Sequence, residues 1–230
     1  MGWLVRVLIS AVCALAFCLL ATEAWGDAIT IQNASFETTS PLNAPCTGTC
    51  AYNFGPIPGW SISGAAGSFE PSSFYLSLPL PDGSIVAFTN GGSISQTLTG
   101  VSLLPNSIYT LSVDVGRRFD VVAANYSLSL TDGSNVFCTS GGSNGSVPAG
   151  TFVDVTLTCA TGASAPAGFL GIDLTGDGRQ IDFDNVQLSV VNAVATPEPS
   201  ALALTFVGLL MGGLLFGRSR RSQYLQSASS

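Results

Sequence analysis

Between residues 27 and about 196 the chain alternates apolar and polar positions with a period of two. Tyr109, Leu111, Val113 and Val115 fall on one face of an extended segment, and Thr110, Ser112 and Asp114 fall on the other. The pattern repeats at Ala124, Tyr126, Leu128 and Leu130, at Val153, Val155 and Leu157, and at Leu170, Ile172 and Leu174. Asp82-Gly83, Gly91-Gly92, Asp132-Gly133, Ser140 to Gly145 and Gly176-Asp177-Gly178 separate these runs with residues that favour turns. No helical period interrupts them. About nine to eleven short strands with this punctuation predict an all-β domain, an antiparallel β-sandwich of the jelly-roll kind.

One strand breaks its own phase. Ile181 and Phe183 hold odd positions, whereas Val186, Leu188 and Val190 hold even ones. A one-residue slip at Asp184-Asn185 puts both sets into the core, which predicts a β-bulge there and a special orientation for Asp182 or Asp184.

The two ends read differently. Arg6, an apolar run from Val7 to Ala21 and the small-residue end Ala24-Trp25-Gly26 have the layout of a secretory signal peptide over residues 1–26, with cleavage expected after Gly26 or Ala24. An uncleaved N-terminal anchor is the alternative. At the other end, seventeen uncharged and mostly apolar residues, Ala201 to Gly217, precede Arg218, Arg220 and Arg221. As a helix this stretch would be about 25 Å long, just enough to span a membrane once. The arginines would stay cytoplasmic and the domain would lie outside. The nine residues 222–230 form a short tail.

Pro197-Glu198-Pro199, the Gly/Leu-rich span and the arginine cluster together resemble the PEP-CTERM sorting signal, here residues 195–221. The resemblance implies an exosortase-type protease as a partner. It also implies anchoring in the inner membrane before processing, then release to the cell envelope or exterior. The tail after the arginines departs from the usual pattern of such signals.

Composition narrows the chemistry. All seven basic residues are Arg, and both Lys and His are absent. That excludes a histidine triad, a Schiff-base lysine, a P-loop and a histidine metal cage. Setting aside Glu23 and Glu198, and Arg6, Arg218, Arg220 and Arg221, leaves the domain 27–194 with twelve acids, three arginines and a net charge of −9. Such a surface repels phosphate backbones, so no nucleic-acid partner is expected. Four cysteines remain in an exported domain, which favours disulfides, Cys46 with Cys50 and Cys138 with Cys159. Two other pairings and a cysteine metal site are the alternatives.

Asn33-Ala34-Ser35-Phe36-Glu37, Pro58-Gly59-Trp60 and the closing Phe183-Asp184-Asn185-Val186-x-Leu188 resemble the jelly-roll carbohydrate-binding modules and galactose-binding-like domains. That resemblance implies that the first and last strands meet and share a structural calcium. Carried over by position, its ligands are Glu37 and Asp184, with Asp182 as a third candidate. Sugar-binding modules stack aromatic rings on pyranose faces, and the candidates here are Tyr52, Phe54, Tyr75 and Phe119, with Arg117-Arg118 either contacting acidic sugars or lying on the rim as solvent-exposed charge. Trp60 reads as a core residue.

These features predict a non-catalytic, exported cell-envelope or matrix protein that binds extracellular polysaccharide. A structural surface protein or adhesin without sugar specificity is the alternative. A glycosidase with Glu37 and Glu70 as paired carboxylates is a further one, since that chemistry needs neither His nor Lys.

Overall fold

The structure, a computed structural model, describes residues 26–192. The expected signal peptide (all but Gly26), the sorting motif Pro197-Glu198-Pro199, the span 201–217 and Arg218, Arg220 and Arg221 lie outside the described residues. Among the described residues, no helix is long and apolar enough to cross a membrane.

Thirteen strands account for the alternation: β1 (Asp27–Ala28), β2 (Ala44–Pro45), β3 (Ala51–Phe54), β4 (Ser61–Ser63), β5 (Ala66–Glu70), β6 (Val86–Asn90), β7 (Ser93–Ser102), β8 (Ser107–Arg117), β9 (Asn125–Asp132), β10 (Asn135–Ser143), β11 (Thr151–Ala160), β12 (Phe169–Gly176) and β13 (Gln180–Asn192). The surplus over the expected number comes from pieces of two and three residues, too short to carry a period. Eight strands form one antiparallel sheet in the order β11-β8-β13-β6-β5-β3-β2, with β1 beside β13. Five form the other, in the order β10-β9-β12-β7-β4. The fold is a jelly-roll β-sandwich.

The odd-phase residues of β8, the even-phase residues of β9 and β12, and Phe36 and Trp60 fill the space between the sheets. Trp60 packs its ring 5.2 Å from that of Phe36 and donates its Nε1–H to the carbonyl of Asn33, which removes it from any surface role. Both expected disulfides are present. Cys138 and Cys159 sit on strands consecutive in sequence but in different sheets, so their bond stitches one sheet edge to the other.

The bulge lies where the phase slips. The register of β13 against β8 shifts between Asp184 and Gln187, and Asn185 takes a positive φ of 49°. Ile181 and Phe183 before it, and Val186 and Leu188 after it, all reach the same core. Asp182 and Asp184 therefore face the outer side of the large sheet. That side is not open to solvent everywhere. Residues 71–85 fold over it and bury Tyr75, Leu76 and Leu80 against Phe69, Val86 and Phe88, making a second apolar cluster.

Candidate active site

One row of residues crosses six strands on this outer face. Phe54 pairs with Gly67, Gly67 with Phe88, Phe88 with Asp182, Asp182 with Gly116, and Gly116 with Phe152. Paired residues in an antiparallel sheet project to the same side, so glycines alternating with rings leave room above the sheet. A Cβ on Gly67 would overlap the carbonyl oxygen of Asn53, and one on Gly116 would press on the Phe152 ring.

The result is a cavity of about 590 Å³ walled by Tyr52, Phe54, Phe69, Tyr75 and Phe88, with Arg118, Asn90 and Gln180 supplying the polar groups. The rings meet edge to face: Phe54 with Phe88 at 5.3 Å between centroids, Tyr52 with Phe54 at 5.7 Å, and Phe69 with Tyr75 at 5.7 Å. Phe54 is 57% exposed at the mouth.

The polar side of the cavity is a connected chain. Asp120 grips the Arg118 guanidinium at 2.8 and 2.6 Å, and that guanidinium lies 4.2 Å over the Tyr75 ring. Arg118 donates to Gln180 Oε1 at 2.6 Å, and Gln180 Nε2 donates to Asp182 Oδ1 at 2.7 Å. Asp182 is 0% exposed, and its Oδ2 has no hydrogen-bond partner. Burial pushes its carboxyl up to about 7, although Gln180 and Arg118 pull it down. It can therefore hold a proton at neutral pH, one hydrogen bond behind the cavity-lining Gln180.

A second acidic row lies next to the first, with Asp184 opposite Asp114 and Asp114 opposite Asp154. Asp184 is also 0% exposed, and burial pushes it to about 7, aided by the charges of Asp82 and Asp114. Its oxygens accept the backbone N–H groups of Asp82 at 3.0 Å and Asn185 at 2.8 Å. Glu37 accepts those of Ser84 and Ile85, both at 2.8 Å. The first segment and the last strand do meet, through Val186 N–H on the Ala34 carbonyl. Glu37 and Asp184 thus fasten the same stretch, 82–85. Asp182 turns away to Gln180. Among the described residues, no three His, Cys, Asp or Glu side chains gather to hold a metal ion.

Of the residues expected to bind sugar, Tyr52, Phe54 and Tyr75 line the cavity. Phe119, 50% exposed, lies over Gly150, and Arg117 lies at the end of β8 with a buried Nε that has no partner. Of the pair Arg117-Arg118, it is Arg118 that lines the cavity. Phe69, Phe88, Asn90 and Gln180 were not anticipated; the signal for Gln180 and Asp182 was there, since both stand out of phase with Ile181 and Phe183.

The profile of the HpiC1-like family, described as HpiC1 cyclase, matches residues 27–189. No curated protein sequence matches the chain significantly. A cyclase from Fischerella sp. TAU solved with 4-(1H-indol-3-yl)butan-2-one is 26% identical, with a TM-score of 0.60 over 72% of this chain and 98% of that one. The Stig cyclase Fisc from the same organism, solved with (3Z)-3-(1-methyl-2-pyrrolidinylidene)-3H-indole, is 25% identical, with a TM-score of 0.60 over 74% of this chain and 100% of that one. Carbohydrate-binding modules are also among the similar structures. The CBM22-1 xylan-binding domain of Paenibacillus barcinonensis Xyn10C is 18% identical, with a TM-score of 0.44 over 75% of this chain and 100% of that one, a likeness from which no ligand follows.

These matches overturn the expectation of a non-catalytic protein. The absence of His and Lys excludes several catalytic devices but leaves a buried carboxyl free to serve, and the matched family is one of cyclases. With its profile running from β1 into β13, the chain belongs to the HpiC1-like cyclase family.

Proposed function

We propose that this protein is an exported cyclase that closes a ring on a small, largely apolar substrate bearing an indole, held in the aromatic cavity with Asp182 as its acid. The observation that carries the reading is the Asp182 carboxyl, wholly buried directly behind Gln180 and Phe88, which line the cavity, with one oxygen tied to Gln180 and the other without a partner. The indole ligands of the two Fischerella cyclases support the substrate class.

The chain's own groups account for an acid-started ring closure. Asp182, protonated near neutrality, gives a proton to the substrate from Oδ2, and the electron-poor substrate is attacked by its own aromatic or unsaturated carbon. A proton then leaves the new ring and returns to the carboxylate, so the enzyme ends as it began. Ring faces favour a transient positive charge, and Asp120 cancels the charge of Arg118 that would oppose it. Full-length protein titrated with 4-(1H-indol-3-yl)butan-2-one in a calorimeter tests the site. Saturable heat that Phe88→Ala weakens about tenfold is expected; no heat with the unaltered protein removes the indole assignment.

Polysaccharide is the second reading for the same cavity, favoured by the exposed Phe54 beside Tyr52 at its mouth. A glycan array that shows specific binding, abolished by Phe54→Ala, would prefer it.

Export rests on the terminal sequence patterns. The C-terminal signal would hand the protein from the inner membrane to an exosortase-type protease and then to the envelope or exterior. Persistence of Arg218, Arg220 and Arg221 in protein recovered from the medium would count against cleavage. Calcium is a proposal for Glu37 and Asp184, completed by backbone carbonyls. A cation there would relieve the crowding of Asp184 by Asp82 and Asp114.

A further inference from the structure

The hairpin that carries one wall of the cavity is held on its inner side, where β3 pairs with β5, but its outer strand and loop have little to hold them. Its two strands share only two paired positions, Ala44 with Tyr52 and Pro45 with Ala51. Strand β2 is the outermost of its sheet, and a ladder that short has no stability of its own. Between the strands, Thr47, Gly48 and Thr49 are all exposed. What closes the hairpin is the bond from Cys46, just after β2, to Cys50, just before β3.

The exposed loop nevertheless positions buried groups. Thr47 donates its backbone N–H to the Tyr75 hydroxyl at 3.0 Å, and its carbonyl accepts from Ser72 Oγ at 2.9 Å. Tyr75 in turn carries the Arg118 guanidinium on its ring, and its carbonyl accepts the backbone N–H of Phe119 at 3.0 Å. Cys46, Thr47, Tyr75 and Arg118 are consecutive members of one cavity wall. The second disulfide, Cys138–Cys159, joins the sheet edges and does not line the cavity.

We propose that the Cys46–Cys50 disulfide is an oxidation-dependent fastener of the binding wall. Formed, it holds Tyr75 and, through Tyr75, Arg118 at the cavity; reduced, it lets the wall open and affinity fall while the sandwich stays folded. This rests on the cavity being the ligand site. The step is a thiol–disulfide exchange with a small dithiol. Its thiolate attacks the half-buried Cys46 sulfur and Cys50 leaves as thiolate; the reagent's second thiol then closes on the first, releasing Cys46. The reagent ends as a cyclic disulfide and the protein as two thiols. The consequence is a protein without a competent site until it reaches an oxidising compartment.

The experiment uses the full chain in three forms: unaltered, Cys46→Ser/Cys50→Ser, and Cys138→Ser/Cys159→Ser. Each is titrated with 4-(1H-indol-3-yl)butan-2-one below its melting temperature, and hydrogen exchange is followed in residues 72–76. The expected result is binding at least about tenfold weaker and faster exchange at 72–76 for the first double variant, with its melting temperature nearly unchanged. The second should melt lower yet bind normally. Dithiothreitol should convert the unaltered protein to the weak-binding form. Equal binding and equal exchange in the first double variant and the unaltered protein would overturn the proposal while leaving the cavity reading intact. If the unaltered protein does not bind the probe, the indole reading fails, and the exchange of residues 72–76 alone decides whether the disulfide fastens the wall.

Discussion

Gln180 donates its side-chain amide to Asp182 Oδ1 at 2.7 Å while its own oxygen is held by Arg118 at 2.6 Å. The amide cannot turn over without losing both bonds, so Asp182 always meets a donor at Oδ1. A proton on that carboxyl is thereby directed to Oδ2, the oxygen without a protein partner.

Replacing the acid without changing its shape separates chemistry from binding. Asp182→Asn should lower the single-turnover rate of ring closure by about a hundredfold or more, with probe affinity unchanged to within a few fold. Product measured by mass against time, beside calorimetric binding, checks it. An unchanged rate would take Asp182 out of the mechanism.

The same burial makes stability depend on pH. Asp182 and Asp184 sit at about 7 in the folded protein against an ordinary 3.8, so the folded state keeps protons that the unfolded chain has lost. Their contribution is whole below about pH 4, falls through the window from 4 to 7 by up to about 1.4 kcal/mol per pH unit for each group, and is gone above it. Melting in the presence of a chelator should be higher at pH 5 than at pH 8. Asp184→Asn should flatten part of that slope.

Gly67 lies between two rings and beneath the Asn53 carbonyl. Gly67→Ala must push β3 from β5, and it should cost about 1–3 kcal/mol, read as a lowered melting temperature together with weaker probe binding.

Chelation tests the cation directly. Removing calcium from the full chain should lower its melting temperature, and Glu37→Ala should abolish the difference. A melting temperature indifferent to chelator in the unaltered protein removes the calcium proposal.

Much of the scaffold was legible in the chain because it rests on local patterns. The odd-phase residues of β8 and the even-phase ones of β12 announce their strands, and the slip at Asp184-Asn185 announces its bulge. The cavity was not legible, for a physical reason. Strands β5 and β6 are buried on both faces, one by the opposite sheet and the other by residues 71–85, so Phe69 and Phe88 stand in unbroken buried runs with no alternation to mark them. Arg118 and Gln180 are 62 positions apart and join only through the pairing of β13 with its neighbours. Enzymatic character was not legible because a single carboxyl such as Asp182 gains its acidity range from being buried, which neither composition nor the spacing of carboxylates such as Glu37 and Glu70 displays.

The bulge at Asn185 divides β13 into two pieces with different duties. Residues ahead of it present Gln180, Asp182 and Asp184 to the outer face, and residues behind it, paired with β8 and β1, hold the sandwich closed. Deleting Asn185 would bring Ile181, Phe183, Val186 and Leu188 into one uninterrupted alternation and leave both buried acids on the outer face. What would be lost is the amide that Asn185 gives to Asp114 Oδ2 at 3.0 Å, and the positive-φ turn in which its backbone N–H reaches back to Asp184 Oδ1. The extra residue thus serves the acidic side of the strand and not its core.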